Sequence, residues 1–202
     1  EIIRNRIDEL GVREPIISKQ GKVQVVVQLP GITDRERAKE IVGKTAHLEF
    51  KLVSDDEKII KDALAGTATE GFEVKQMEET GRLADTVVLE SKPVLTGDKL
   101  TNASVGFDNY GQATVEIQFD KEGAKIFDSV TFQNIGRRLA IVLDGKVHSA
   151  PVIRDRIPNG QGQISGNFTA EQASDLALVL RAGALPAPVE IIEERTVGPS
   201  LG

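Results

Sequence analysis

The chain has 202 residues, of which 40% are hydrophobic and 28% charged, a composition that is typical of a globular protein and excludes a disordered one. Its 31 acidic and 25 basic residues give a formal charge of −6. This balance disfavours nucleic acid as a partner, because phosphate binding requires clustered lysine and arginine. The absence of cysteine excludes disulfides, thiol nucleophiles and thiolate metal sites. No apolar run approaches the about 18–20 residues that cross a bilayer, so we expect a soluble chain.

The first half of the chain mixes helix and strand patterns. Thr33 and Glu36 form a capping-box pattern, which predicts a helix that Gly43 ends. Residues 73–89 predict a hairpin with Gly81 near its turn, and 93–97 is expected to be a crossing between two bodies. The other predicted elements are a helix over 2–10, strands near 16–17, 23–29 and 46–51, and one or two helical turns over 59–64.

The second half carries stronger signals. Asp120 suits the N-cap of a helix, and Asp144-Gly145 lies between two apolar runs, which indicates a tight hairpin. Thr169 with Gln172 predicts the N-terminus of a helix that Gly183 ends. The remaining predicted elements are strands at 105–107, 115–119 and 189–194, with a second crossing at 161–166.

This order of hairpins and single crossing helices predicts an α+β fold, with helices packed on antiparallel sheet. Residues 1–97 and 161–202 are expected to form a discontinuous base, and residues 98–160 an inserted α+β head lobe. Gly97, Gly162 and Gly166 lie at the two crossings and are candidate hinges, since glycine accepts backbone rotation at low cost. The chain starts within a helical pattern without methionine and ends in a Gly/Pro-rich stretch, so we expect a segment of a longer protein.

No constellation of residues supports an enzyme. The two histidines, His47 and His148, are far apart in sequence and lack cysteine partners, so a zinc site is not predicted. The glycines over 160–166 suggest a phosphate loop, but the spacing is not that of a dinucleotide-binding fingerprint and no Gly-Lys-Ser/Thr follows. We therefore predict no catalytic, metal-binding or cofactor-binding residue. A soluble hydrolase that uses 160–166 is the alternative, and phosphate or nucleotide binding would reveal it.

Aromatic residues make up only 4% of the chain, yet Phe107, Tyr110, Phe127 and Phe132 cluster in the predicted head. Most such residues fill cores. The alternative is an apolar groove for an extended or unfolded polypeptide, where aromatic and strand-edge surfaces give sequence-tolerant contact. Phe107, Tyr110 and Phe132 are the candidate contact residues.

An ordered set of motifs resembles the SecD family of bacterial protein-export membrane proteins. The motifs are Val27-Gln28-Leu29-Pro30-Gly31, Pro93-Val94-Leu95-Thr96-Gly97, Leu139 to Gly145, Ser149-Ala150-Pro151, Ile164-Ser165-Gly166, Leu180 to Pro188 and Thr196 to Gly202. They occur in the family's order over nearly the whole chain, with the weakest match over 55–89. A single short motif such as Leu-Pro-Gly is not specific to one family, but the ordered set of motifs is.

The resemblance implies the large periplasmic domain between the first two transmembrane helices of a SecD protein, with a ferredoxin-like base and an inserted, mobile head. Such a domain works with SecF beside the SecYEG channel, binds unfolded preprotein and assists export driven by the proton-motive force. The proton-relaying residues of the family belong to membrane helices and not to this domain. Val197, Gly198, Pro199 and Gly202 would form the junction to the second membrane helix. A static docking module for SecF or other Sec subunits is the alternative.

Overall fold

The computed structural model describes residues 1–21, 23–67, 69–77 and 86–195, with the backbone alone for Asn167. In this part of the chain five α-helices accompany four sheets, and all strand pairs within the sheets are antiparallel. The predicted α+β class is confirmed. The helices are α1 (Ile2–Glu9), α2 (Arg35–Gly43), α3 (Glu57–Leu64), α4 (Lys121–Gln133) and α5 (Ala170–Ala182).

The strands occupy most of the predicted positions. They are β1 (Ile16–Gln20), β2 (Gln24–Gln28), β3 (Leu48–Leu52), β4 (Phe72–Gln76), β5 (Thr86–Glu90), β6 (Leu95–Thr96), β7 (Leu100–Phe107), β8 (Ala113–Phe119), β9 (Leu139–Leu143), β10 (Lys146–Ser149) and β11 (Gln161–Phe168). The sheet orders are β1-β2, β10-β9-β3-β6, β11-β8-β7 and β4-β5.

Side-chain caps fix where the helices begin. The Thr169 hydroxyl accepts from the Gln172 N–H at 3.1 Å, and the Gln172 side chain accepts from the Thr169 N–H at 2.9 Å, which confirms the predicted capping box. The Asp120 carboxylate accepts from the Gly123 N–H at 2.6 Å, as its predicted N-cap role requires. α2 begins one residue later than predicted, because Asp34 rather than Thr33 caps it.

The pair β3–β9 is a wall between two cores. Leu48 lies opposite Leu143 and Phe50 opposite Ile141, and these side chains face the larger core. Ala140 and Val142 alternate with them and face the smaller core. In the larger core α5 packs on β7 and β8, α4 packs on β6 and β8, and Phe50, Phe119 and Phe127 form an aromatic cluster with ring centroids 5.2–6.0 Å apart.

Five strands close into a ring around the smaller core. β3, β9 and β10 are neighbours in one sheet, and the β4–β5 hairpin joins it through bridges between Val53 and Leu89 and between Met77 and Val147. The interior contains Val53, Met77, Val87, Leu89, Ala140, Val142, Val147 and Ala150. The predicted hairpin over 73–89 is confirmed in its two strands, whereas Gly81 lies outside the described residues.

Two features differ from the sequence-based expectations, and a third concerns the predicted division into base and head. Residues 189–194 form no strand, and Glu194 lies beside α2 through an ion pair with Lys39. The expected second crossing at 161–166 is part of strand β11. Strands of the predicted head at 98–160 pair with strands outside it, β8 with β11 and β9 with β3. The division of the chain into a base at 1–97 and 161–202 and a head at 98–160 stays a prediction.

Candidate functional site

The hairpin β7–β8 ends in a tight turn that holds Tyr110 in solvent. The Asp108 N–H donates to the Gln112 carbonyl at 2.9 Å, and the Asp108 carboxylate accepts from the N–H groups of Tyr110 and Gln112 at 2.8 and 2.9 Å. An aspartate that binds backbone groups further along the chain stabilises a turn of this kind. Tyr110, at the tip of the turn, is 92% exposed, and Phe107, at the end of β7 just before the turn, is 63% exposed.

A groove of about 340 Å³ lies between this hairpin and the start of α5. It is lined by Phe107, Gly111, Gln112, Ala113, Phe168, Thr169 and Ala170. Its walls are two phenylalanine rings and short neutral residues, without a charged side chain. Such a lining suits an uncharged or apolar segment better than an ion.

Phe168 is the aromatic residue of the groove that the sequence analysis did not select. It directly precedes the Thr169 cap, a position where an apolar residue often packs over the first turn of a helix, and that signal is visible in the sequence. The His148 ring stacks on Phe168 with centroids 5.9 Å apart. His148 therefore supports an aromatic wall of the groove.

Phe132 lies away from the groove, near the end of α4. It is 63% exposed, and the Arg156 guanidinium lies 5.8 Å from its ring centroid in a cation–π contact. Arg156 also binds the Asp128 carboxylate with two N–H groups, and this hydrogen bonding lowers the pKa of Asp128. The structure thus brings Phe107 and Tyr110 together on one hairpin and leaves Phe132 at a separate surface.

The candidate hinge glycines lie at close contacts. A Cβ on Gly97 would come within 3.0 Å of the Leu48 Cβ, and one on Gly166 within 3.0 Å of the Phe168 ring. Gly162 lies within β11, opposite Ile117 of β8. These glycines permit close packing in the present conformation, and their role as hinges stays a prediction.

The buried side chain of Lys51, on β3, forms ion pairs with two glutamates. The Lys51 ammonium lies 2.8 Å from a Glu73 carboxylate oxygen and 3.1 Å from one of Glu49. Burial alone would lower the pKa of Lys51, but the hydrogen bonds with Glu73 and Glu49 outweigh it and raise that pKa. His47 lies 3.7 Å from Glu49. In the described ranges, no group of three or more histidine, cysteine, aspartate or glutamate side chains has the arrangement of a metal site.

Two family models match the chain. Residues 72–187 match the P1 head subdomain of SecDF, and residues 1–55 match the N-terminal part of the P1 domain of protein translocase subunit SecDF. The chain belongs to the SecD/SecDF P1-domain family. The resemblance noted in the sequence is thereby confirmed, and the matched head residues extend beyond 98–160 on both sides.

Curated relatives in this family match over the whole chain. The SecD protein translocase subunit of Desulfurispirillum indicum is 51% identical over 209 residues, covering 100% of this chain and 40% of the relative. The subunit of Aquifex aeolicus is 50% identical, with 100% and 39% covered. The chain thus spans about two fifths of the length of these relatives.

Solved structures carry the same fold. One, of SecDF as a membrane component that enhances protein export, aligns with a TM-score of 0.75 at 40% identity and covers 97% of this chain and 90% of that chain. SecDF in a super-membrane-facing form aligns with a TM-score of 0.75 at 38% identity, covering 95% and 26%.

Two expectations concern the membrane: that no segment spans it, and that the last residues form a junction to a membrane helix. Across the described residues, every helix is too short or too polar to traverse a lipid bilayer. The expected junction residues Val197, Gly198, Pro199 and Gly202 lie outside the described residues.

Proposed function

We propose that this chain is a non-enzymatic, extracytoplasmic domain of a SecD translocase subunit, and that it contacts the emerging preprotein at the groove between β7–β8 and α5. In the full protein this contact assists export driven by the proton-motive force, beside SecF and the SecYEG channel. Membership of the SecD family and the names of the relatives, which are protein translocase subunits, support this role.

The exposure of Phe107 beside the groove is the observation that carries the proposal. In a chain with seven phenylalanines and one tyrosine, Phe107 and Tyr110 lie in solvent on a hairpin that Asp108 stabilises. Exposed aromatic rings lining a groove are typical of a protein-binding surface. The neutral lining fits the variety of sequences that an export factor meets.

Site-specific photo-crosslinking tests this contact. A photoreactive phenylalanine at position 107 or 110 of the full-length protein is expected to label a translocating preprotein. The matched control is the same probe at Lys19, which is exposed on β1. Equal labelling at position 19 would contradict a specific contact at the groove.

Movement of the head relative to the base is the second part of the proposal. Gln118 of β8 and Gln161 of β11 are directly opposite each other, with about 4.5 Å expected between their Cα atoms. A disulfide between cysteines at these two positions would join the predicted head to the predicted base. We expect it to slow export, with recovery on reduction. Undiminished export with the bridge formed would mean that this movement is not required.

A docking role for SecF or another Sec subunit is the second candidate. The exposed apolar side chains of Phe132 and Ile135, at and just after the end of α4, favour it because they form a surface separate from the groove. Co-purification of SecF with the chain, lost in Phe132→Ser/Ile135→Ser, would support docking. Retention of SecF by that variant would place docking elsewhere.

The absence of an enzyme activity is tested by ligand-dependent stabilisation. Phosphate and nucleotides are expected to leave the melting temperature of the chain unchanged. The stretch 160–166, which suggested a phosphate loop, is mostly strand β11, and Gly160 packs against Ala124. A saturable rise in melting temperature with a phosphate ligand would support the enzyme alternative.

A further inference from the structure

Strand β7 forms the edge of its sheet. In the described ranges it pairs with β8 on one side, and no strand follows on the other. Ser104, Val105 and Phe107 are exposed along it. An edge of this kind presents backbone N–H and C=O groups that a further strand can bind.

The alternation of the ladder determines which groups face outward. Antiparallel partners alternate between pairs that exchange hydrogen bonds and pairs that do not. The Asp108 N–H donates to the Gln112 carbonyl at 2.9 Å, so that pair is bonded, and the next pair, Phe107 with Ala113, is not. By the same alternation Val105 and Ala103 also direct their N–H and C=O groups away from β8.

Arg181 gives independent support for this direction and closes one end of the edge. Its guanidinium donates to the Ala103 carbonyl at 2.6 Å, so this carbonyl is bonded by a side chain of α5, and Glu9 of α1 binds the same guanidinium at 2.6 Å. Ala103 is therefore already occupied by an ion pair from α1 and α5. The open stretch begins at Val105 and continues to Phe107, where the groove starts.

We propose that residues 105–107 of β7 bind an extended polypeptide segment by β-strand addition. The outward N–H and C=O groups of Val105 and Phe107 form four backbone hydrogen bonds with the segment, and alternate side chains of the segment enter the groove beside Phe107 and Phe168. The outward N–H and C=O groups of this edge are complementary to the C=O and N–H groups of any extended backbone. The bound segment is therefore recognised by its extended conformation rather than by its sequence. This inference rests on the proposed function and specifies how the preprotein is bound.

Val105→Pro tests the role of the backbone. Proline removes the outward N–H of residue 105, whereas the ladder with β8 does not use that group, and edge strands accept proline at such positions. Val105→Ala is the matched control, because it shortens the side chain and keeps the N–H. The probe is a fluorescent 12-residue peptide of alternating valine and serine. We expect Val105→Pro to weaken binding about 2–10-fold relative to Val105→Ala, as the loss of one hydrogen bond implies.

A second measurement uses the unchanged protein and so does not depend on the folding of a variant. N-methylation of alternate peptide residues removes the N–H groups of one edge of the bound segment. We expect methylation on one set of alternate residues to abolish binding and methylation on the other set to have little effect.

Each outcome is decisive. Equal binding by Val105→Pro and Val105→Ala, or equal effects of the two methylation patterns, would overturn strand addition while photo-crosslinking at position 107 still supports the groove. Binding of the peptide without dependence on Phe107→Ser would also overturn it. Absence of both peptide binding and crosslinking would overturn the proposed function together with this inference.

Discussion

The Arg6 guanidinium donates a hydrogen bond of 2.9 Å to the carbonyl oxygen of Gly183, 177 residues further along the chain. The same side chain donates to the Ile41 carbonyl at 2.9 Å and to that of Lys44. It is fully buried, and the carbonyls belong to the C-terminal ends of α2 and α5. A cation at these ends offsets the negative ends of two helix dipoles and joins them to α1.

Replacement of Arg6 is expected to be severely destabilising. Arg6→Met leaves several buried carbonyls without their donor, and each costs about 1–3 kcal/mol in the free energy of unfolding. Arg6→Lys retains the charge but not the planar fork, so its loss should be smaller. Urea unfolding measures both. Arg4→Met, on the exposed side of α1, is the control and should change stability by less than about 0.5 kcal/mol.

Asp144 connects the tight turn β9–β10 to the segment before β3. Its carboxylate accepts from the N–H groups of Ala46 and His47 at 3.1 and 2.8 Å. Asp144→Ala removes both acceptors and should destabilise the chain by about 1–3 kcal/mol. Asp144→Asn keeps one acceptor oxygen and should lose less. Thermal unfolding compares them with Asp155→Ala at an exposed site, and equal stability of all variants would contradict the role of Asp144.

The Glu9–Arg181 pair predicts a dependence of stability on acid pH. Hydrogen bonding to Arg181 lowers the pKa of Glu9 in the folded chain, so the unfolded chain binds the proton more readily. The contribution is complete above the unfolded pKa of about 4.3 and is lost as the pH falls through the folded pKa. Solvent screening keeps it below about 1 kcal/mol.

Urea unfolding between pH 6 and pH 3 measures this contribution. Glu9→Gln should lower stability at pH 6 and show a smaller further loss at pH 3 than the unchanged chain, and Glu14→Gln, at an exposed position, is the matched control. Identical slopes for the unchanged chain and Glu9→Gln would show that the pair does not contribute.

Alanine substitutions at Gly160 and Gly111 distinguish the energetic cost of backbone strain from that of a packing clash. Both have positive φ, 63° and 76°, which disfavours a side chain. A Cβ on Gly160 would lie 2.5 Å from the Ala124 Cβ, whereas nothing lies within 4 Å of one on Gly111. Gly111→Ala should cost about 1 kcal/mol, and Gly160→Ala at least about 1 kcal/mol more, because α4 must move. Equal losses in chemical denaturation would remove the packing contribution.

Local signals predicted much of the fold. Asp144-Gly145 and the capping box at Thr169 depend on residues close in sequence, and both are confirmed. The strand predicted over 189–194 is wrong because alternation supplies a surface pattern but not a pairing partner.

The site was predictable only in part. Phe107 and Tyr110 are exposed, and their contact with preprotein stays a prediction. Phe132 is close to them in sequence, but it lies near the end of α4 on another surface. The contacts of Phe168 with His148 and of Arg6 with Gly183 join distant segments, and no local pattern announces such pairs.

The wall formed by β3 and β9 has a consequence for unfolding. Alternate residues of β9 enter different cores, so a slip by one residue would exchange Ile141 for Val142 and place wrong volumes in both cores at once. Neither core can loosen while the other keeps its native packing. The larger core and the ring are therefore expected to melt in one cooperative transition, although they share no interior residue.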